Sequence, residues 1–147
     1  MLRVPLQQLD DDLPTPSYAR EGDAGVDLIA TTDVVLPCRG GRAVVPTGVA
    51  VAIPAGYAGL VVPRSGLAAR HGITCLNAPG LIDSGFRGEI QVILVNHDPE
   101  ADYAVHRGDR VAQLVLVQVE QAVFELVGDG GLEKSERGSG GFGHTGT

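Results

Sequence analysis

The chain has 147 residues, enough for one domain with a real core. Its formal net charge of −7 repels nucleic acid, and an anionic substrate would need local arginines and a divalent cation. Hydrophobic residues make up 44% without the ~20-residue apolar run of a membrane span, and the start, MLRVPLQQLDDDLP, lacks the apolar core and cleavage site of a signal peptide, so a cytoplasmic protein is expected.

Cys38 and Cys75 form no C-x-x-C pair and read as reduced structural thiols. His71, His97, His106 and His144 show no metal-ligand spacing, which argues against a zinc site.

Alternation with a period of two dominates the chain. In GDAGVDL (22–28), Asp27 sits between Val26 and Leu28 at the start of a strand; alone it reads as a solvent-facing residue. RAVVPTGVAVAIPAGYAGLVV (42–62) predicts short strands cut by proline and glycine turns. SGLAARHG (65–72) is the one helical stretch, with Ser65 as its N-cap and Gly72 as its stop. A helix start presents free N–H groups and Arg64 adds a charge, so PRSGLA (63–68) suits a phosphate as well as it suits a plain cap.

NAPGLIDSGFRGEIQ (77–91) predicts a β-hairpin turning at DSG. Asp83 and Phe86 at its tip are either a turn residue and a stray core residue, or chemistry on a loop, with the carboxylate as general base. EIQVILVN (89–96), RVAQLVLVQVE (110–120) and AVFELV (122–127) predict three more strands. The set suggests a sandwich, jelly roll or barrel.

The strand at 110–120 is apolar on both faces, with Val111, Val115, Val117 and Val119 on one and Ala112, Leu114 and Leu116 on the other. One face is expected to meet another subunit. Gln113 interrupts the face of Val111, Val115 and Val117; it either satisfies backbone across an interface or faces a ligand. Arg110 and Asp109 read as a structural ion pair. From Gly128 the pattern stops, giving a β domain over 1–127 and a glycine-rich arm over 128–147. The arm's glycines follow no strand and open no helix, which excludes the dinucleotide fingerprint and the P-loop. It is either a disordered end or a lid that brings Arg137 to phosphate and an aromatic to a flat ring.

Taken in order, AGVDL, PRSGLA, GLIDSGFRGEI, RGDRVAQL and RGSGGFG resemble the five motifs of the trimeric dUTPase family, from about Asp23 to Gly146. The resemblance implies an all-β jelly roll, a homotrimer, and three active sites at subunit interfaces built with segments of all three chains. It implies hydrolysis of dUTP to dUMP and pyrophosphate with Mg²⁺, which keeps uracil out of DNA and supplies dUMP. Carried onto this chain, Asp83 is the base that activates water, and Arg64, Ser65 and Gly66 bind phosphate, with Ser65 near the bond that breaks. Gln113 lies on the phosphate side, Arg137 clamps the γ-phosphate, and Asp27 holds Mg²⁺ through water. Asn77 and backbone near Leu81, Ile82 and Gln91 read the uracil edge, Phe86 packs on the deoxyribose, and Phe142 stacks on the base.

This chain departs from the family pattern in two places. Phe86 stands where the family usually has tyrosine, and His144 stands where small polar residues are usual. Two rivals share the fold: dCTP deaminase, which needs a glutamate where this chain has Ile93, and a non-catalytic trimeric module, which would lack Asp83 or Arg137.

Overall fold

The computed structural model describes residues 2–128 and 130–140. The elements in order are β1 (Leu6–Gln8), β2 (Gly25–Ile29), β3 (Val34–Leu36), β4 (Gly41–Val51), β5 (Tyr57–Pro63), α1 (Ser65–His71), β6 (Ile73–Cys75), β7 (Gly80–Ile82), β8 (Glu89–Asn96), β9 (Tyr103–Val105) and β10 (Arg110–Gln118). One sheet has the order β1-β4-β8-β6, a second β2-β10-β5-β7, and β3 pairs with β9 in a small ribbon. All pairings are antiparallel. The inner faces of both sheets supply one core, including Val45, Ile90, Val92 and Leu94 from the first and Leu28, Val61 and Ala112 from the second. Each such buried aliphatic side chain contributes about 1.5–3 kcal/mol relative to exposure, except the smaller alanine. The result is the expected jelly-roll sandwich with one short helix.

Residues 42–62 make fewer, longer strands than their prolines and glycines suggest. β4 passes through Pro46 and Gly48 because a register shift between Pro46 and Ala50 absorbs them. Gly48 adopts the left-handed φ of 70° that the bulge requires. Local polar groups replace the lost ladder bonds: the Gly48 N–H donates to the Glu89 carboxylate (2.8 Å) and the Thr47 hydroxyl to the Ile90 carbonyl (2.6 Å).

α1 forms where expected, but Ser65 is not its cap. The N-cap is Arg64, extended at φ −88° and ψ 125°, and no side chain caps the first turn. Ser65 is the first residue inside the helix. Gly72 ends it as predicted, left-handed, with its N–H on the Ala68 carbonyl.

The predicted hairpin over 77–91 does not exist as a ladder. β7 pairs with β5, whereas β8 pairs with β4 and β6, so the segment after Ile82 crosses from one sheet to the other. Turn chemistry marks a reversal but cannot say which strand the chain pairs with next. AVFELV (122–127) is not a strand either. β10 already has β2 and β5 on its two edges, and the segment beyond it finds no ladder partner. Val123, Phe124 and Leu126 are 87%, 95% and 104% exposed.

Cys75 lies buried in β6, and burial pushes its thiol up to about 11. The thiolate is the reactive form. Iodoacetamide at about pH 8.5 is therefore expected to label half-buried Cys38 and to spare Cys75 until the chain unfolds. Peptide mapping reads the outcome, and equal labelling of both thiols in the folded protein would refute it.

Candidate active site

β10 carries a bulge that organises the first cluster. Arg110 opposes Ile29 and Ala112 opposes Leu28, leaving Val111 without a partner. The extra residue turns both Val111 and Ala112 into the core, where they are fully buried. Val111 therefore does not share a face with Val115 and Val117, contrary to simple alternation. The same bulge puts Arg110 and Gln113 on the outer face, although they are three residues apart. Gln113 stands directly between Asp27 on β2 and Val62 on β5, and directly opposed residues project to the same side.

On that face Asp27 meets two arginines. Arg64 Nε lies 3.1 Å from Asp27 Oδ1, and Arg110 Nη1 lies 3.3 Å from Asp27 Oδ2. The expected Arg110–Asp109 pair is thus absent: Asp109 instead accepts the His106 backbone N–H at 2.8 Å, and Arg110 goes to Asp27. The Arg64 contact is close but misaligned, so its buried Nε has no hydrogen-bond partner. Arg64 Nη1 reaches the Arg110 carbonyl at 3.3 Å. Asp27, Arg64 and Gln113 line one cavity of about 270 Å³, together with Asp23 and Gly25. Gly25 lies close beneath Gln113: a Cβ there would stand 2.7 Å from Gln113 Oε1, so any larger residue would require that side chain to move. The half-buried Gln113 side chain faces this cavity.

The second cluster lies at the crossing between the sheets. A cavity of about 410 Å³ is lined by Asn77, Leu81, Ile82, Asp83, Phe86 and Gln91, with apolar backing from Val61 and Ile93. β7 is an edge strand, so it carries backbone N–H and C=O groups that no neighbouring strand pairs, and its residues line this space. Asp83 is exposed at its rim. The Phe86 N–H donates to the Asp83 carbonyl at 3.1 Å, which turns the chain after the carboxylate. Phe86 folds back over Gly88, where a Cβ would stand 2.7 Å from Phe86 Cζ.

Among the described residues the two cavities share no lining residue. Ser65 and Gly66 line neither; they lie in the first turn of α1 beside Arg64, with Ser65 exposed. Arg137 is exposed in the arm, where its Nε donates to the Gly140 carbonyl at 3.0 Å. Phe142 and His144 lie outside the described residues. Sequence reasoning missed Arg110, because the bulge that turns it outward leaves no mark in residue type.

A jelly-roll sandwich with a cavity against a strand edge, and arginines held on a separate carboxylate, has the features of a nucleotide-binding β protein. The chain belongs to the dUTPase family, whose model matches residues 11–146. It is 56% identical over 145 residues to the deoxyuridine 5'-triphosphate nucleotidohydrolase of Thermobifida fusca, covering 99% of this chain and 79% of that protein. The protein of the same name from Rhodococcus erythropolis is 50% identical over 145 residues, covering 99% and 87%. Among solved structures, a dUTPase variant of Staphylococcus bacteriophage 80alpha with dUpNHpp superposes with a TM-score of 0.88 at 26% identity, over 100% of both chains. A variant dUTPase from phage phi11 of S. aureus, described with a structural Mg(II) ion, gives 0.78 at 26% identity over 86% and 97%.

Proposed function

We propose that this protein is a dUTP diphosphatase that cleaves dUTP to dUMP and pyrophosphate. The observation that carries the reading is the 410 Å³ cavity, where Asn77, Gln91 and the free β7 edge face Asp83 and Phe86. A strand edge offers donors and acceptors in a fixed order, which suits the uracil edge and mismatches cytosine. A base seated tightly against the apolar backing would exclude a thymine methyl. Phe86 packs on the deoxyribose and crowds out a 2′-hydroxyl. The same wall includes Ile93, which cannot move a proton, so the deaminase reading loses its base.

Asp83 takes a proton from the water that attacks the α-phosphorus. Charge then gathers on phosphoryl oxygens, and Arg64 with the amide of Gln113 stabilises it. Ser65 and Gly66 offer backbone and hydroxyl groups beside Arg64, nearest the bond that breaks. Arg137 exchanges its contact inside the arm for the γ-phosphate, a task that suits a guanidinium fork. Phe142 stacks on the base, contributing about 1–3 kcal/mol. In this reading residues 1–127 are the β domain and 128–147 the arm that closes over substrate.

Among the described residues no three His, Cys, Asp or Glu side chains converge into a metal cage. Asp27 fits a looser role. It would hold Mg²⁺ beside the triphosphate, since its arginine contacts at 3.1 and 3.3 Å leave carboxylate lone pairs free. When bound, the ion offsets charge on the phosphate oxygens.

The separation of the two cavities supports a homotrimer in which one chain's uracil slot faces another chain's arginine cluster. The half-buried outer face of Val115 and Val117 and the uncovered Val123, Phe124 and Leu126 supply apolar surface for that assembly. No helix among the described residues is long and apolar enough to cross a membrane. Two free thiols suit a reducing compartment, and the cytoplasm is the proposed location.

Pyrophosphate release with Mg²⁺ tests the reading on dUTP, dCTP, UTP and dTTP side by side. Only dUTP is expected to turn over, with dCTP disfavoured by about 10⁴-fold because its edge leaves slot groups unpaired. Comparable cleavage of UTP would refute Phe86 as the sugar gate. Cleavage of none would bring the non-catalytic module forward.

A further inference from the structure

We propose that Arg87 is a positioning residue for this reaction, holding the loop that carries Asp83 and Phe86. Arg87 lies in the crossing segment but lines no part of the uracil cavity. Its Nη1 donates to the Ser84 carbonyl at 2.6 Å and to the Phe86 carbonyl at 2.7 Å. Both partners are backbone groups of the same loop, and no strand pairing satisfies them. The two N–H groups of one guanidinium nitrogen thus bridge the carbonyls that bracket the tip. With the Phe86 N–H on the Asp83 carbonyl, the backbone from 83 to 87 is tied at three points. The Phe86 ring also lies over Gly88, where an added Cβ would stand 2.7 Å from its Cζ.

The need for such a clamp follows from the topology. Between Ile82 and Glu89 the chain leaves one sheet and has not joined the other, so no ladder orders it. A general base and a sugar gate must nonetheless hold position within a fraction of an ångström. A charged donor on neutral carbonyls is the stronger kind of hydrogen bond. Arg87 supplies it from inside the loop.

The proposal rests on Asp83 and Phe86 having the roles given above, and its test separates the two. In the full-length assembly, Arg87→Ala is expected to leave the oligomer intact and Tm within about 2 °C, since the side chain is exposed. Its kcat for dUTP is expected to fall about 10- to 100-fold, more than KM changes. The dUTP-over-UTP ratio should narrow by about tenfold as the Phe86 ring loosens. Amide exchange at residues 84–88 should quicken about tenfold without ligand. Arg87→Lys, which keeps a charged donor on a flexible stem, should recover part of the rate.

Unchanged exchange, or kcat and selectivity within about twofold of the parent, would overturn the proposal. So would a lower Tm or a broken oligomer that accounts for the lost rate, which would make Arg87 merely structural. A parent chain inactive on dUTP would overturn the assigned reaction, and the exchange measurement would still decide whether the clamp exists.

Discussion

Asp83→Asn is expected to bind dUTP about as tightly as the parent while kcat falls by about 10²–10⁴-fold, the usual contribution of a positioned general base. The substitution isolates the chemistry well. Among the described residues the Asp83 carboxylate forms no ion pair, and the loop bond at this residue uses its backbone carbonyl. Asparagine keeps the size and the backbone contact but cannot take a proton, and it exchanges the negative charge for a neutral amide. Calorimetric titration with a non-hydrolysable dUTP analogue would give the affinity, and single-turnover kinetics the chemical step. A rate within about tenfold of the parent would remove Asp83 from the role of base. Weak binding with a normal rate would make it a ligand contact instead.

A mixture of two dead variants should come back to life. Arg64→Ala and Asp83→Asn strike different cavities that share no residue within one chain. If each site takes its uracil slot and its arginine cluster from different subunits, a mixed trimer contains sites with both halves intact. Random assembly from equal amounts gives about one quarter of sites repaired, by simple closed-ring statistics. The measurement is dUTP turnover after the variants are unfolded and refolded together, against the same mixture refolded apart. No gain over the separate controls would mean that one chain supplies both halves, and the interface reading would fail. Arg64 has a further reason to matter: its Nε is buried and unpartnered, and a phosphate oxygen is the kind of acceptor it lacks.

The parts of the fold that were legible share a physical origin. β8 runs over Glu89–Asn96, the span that its alternation predicts, because period-two burial is a local property of one sandwich face. α1 ends at Gly72 because only a residue tolerant of left-handed backbone stops a helix there. The start of the same helix was misread, since Arg64 takes the extended conformation of a cap without offering a capping side chain. Ser65 looked right by type and sits one residue too far in.

The residues proposed for the site divide in the same way. Asn77, Leu81, Ile82, Asp83, Phe86 and Gln91 are neighbours in the chain, and a single crossing segment with the strands beside it brings them to one cavity. Asp27, Arg64 and Gln113 are remote in sequence, and the motif resemblance was the only sign that they belong together. Their meeting depends on the Val111 bulge, which selects the face on which Arg110 and Gln113 emerge. Nothing in the residue types of RGDRVAQL announces that extra residue.

By itself, then, the sequence determined what local physics controls: the strand periods, the helix stop, the apolar surplus of β10 and the chemical inventory of the motifs. Tertiary structure alone decided that β7 joins β5 and not β8, and that AVFELV stays unpaired. It also decided that Arg110 turns to Asp27 and that Arg87 ties the loop beside it. These outcomes depend on which edges are already occupied and which face a bulge exposes. Such long-range competitions are settled only when the sheets close on each other.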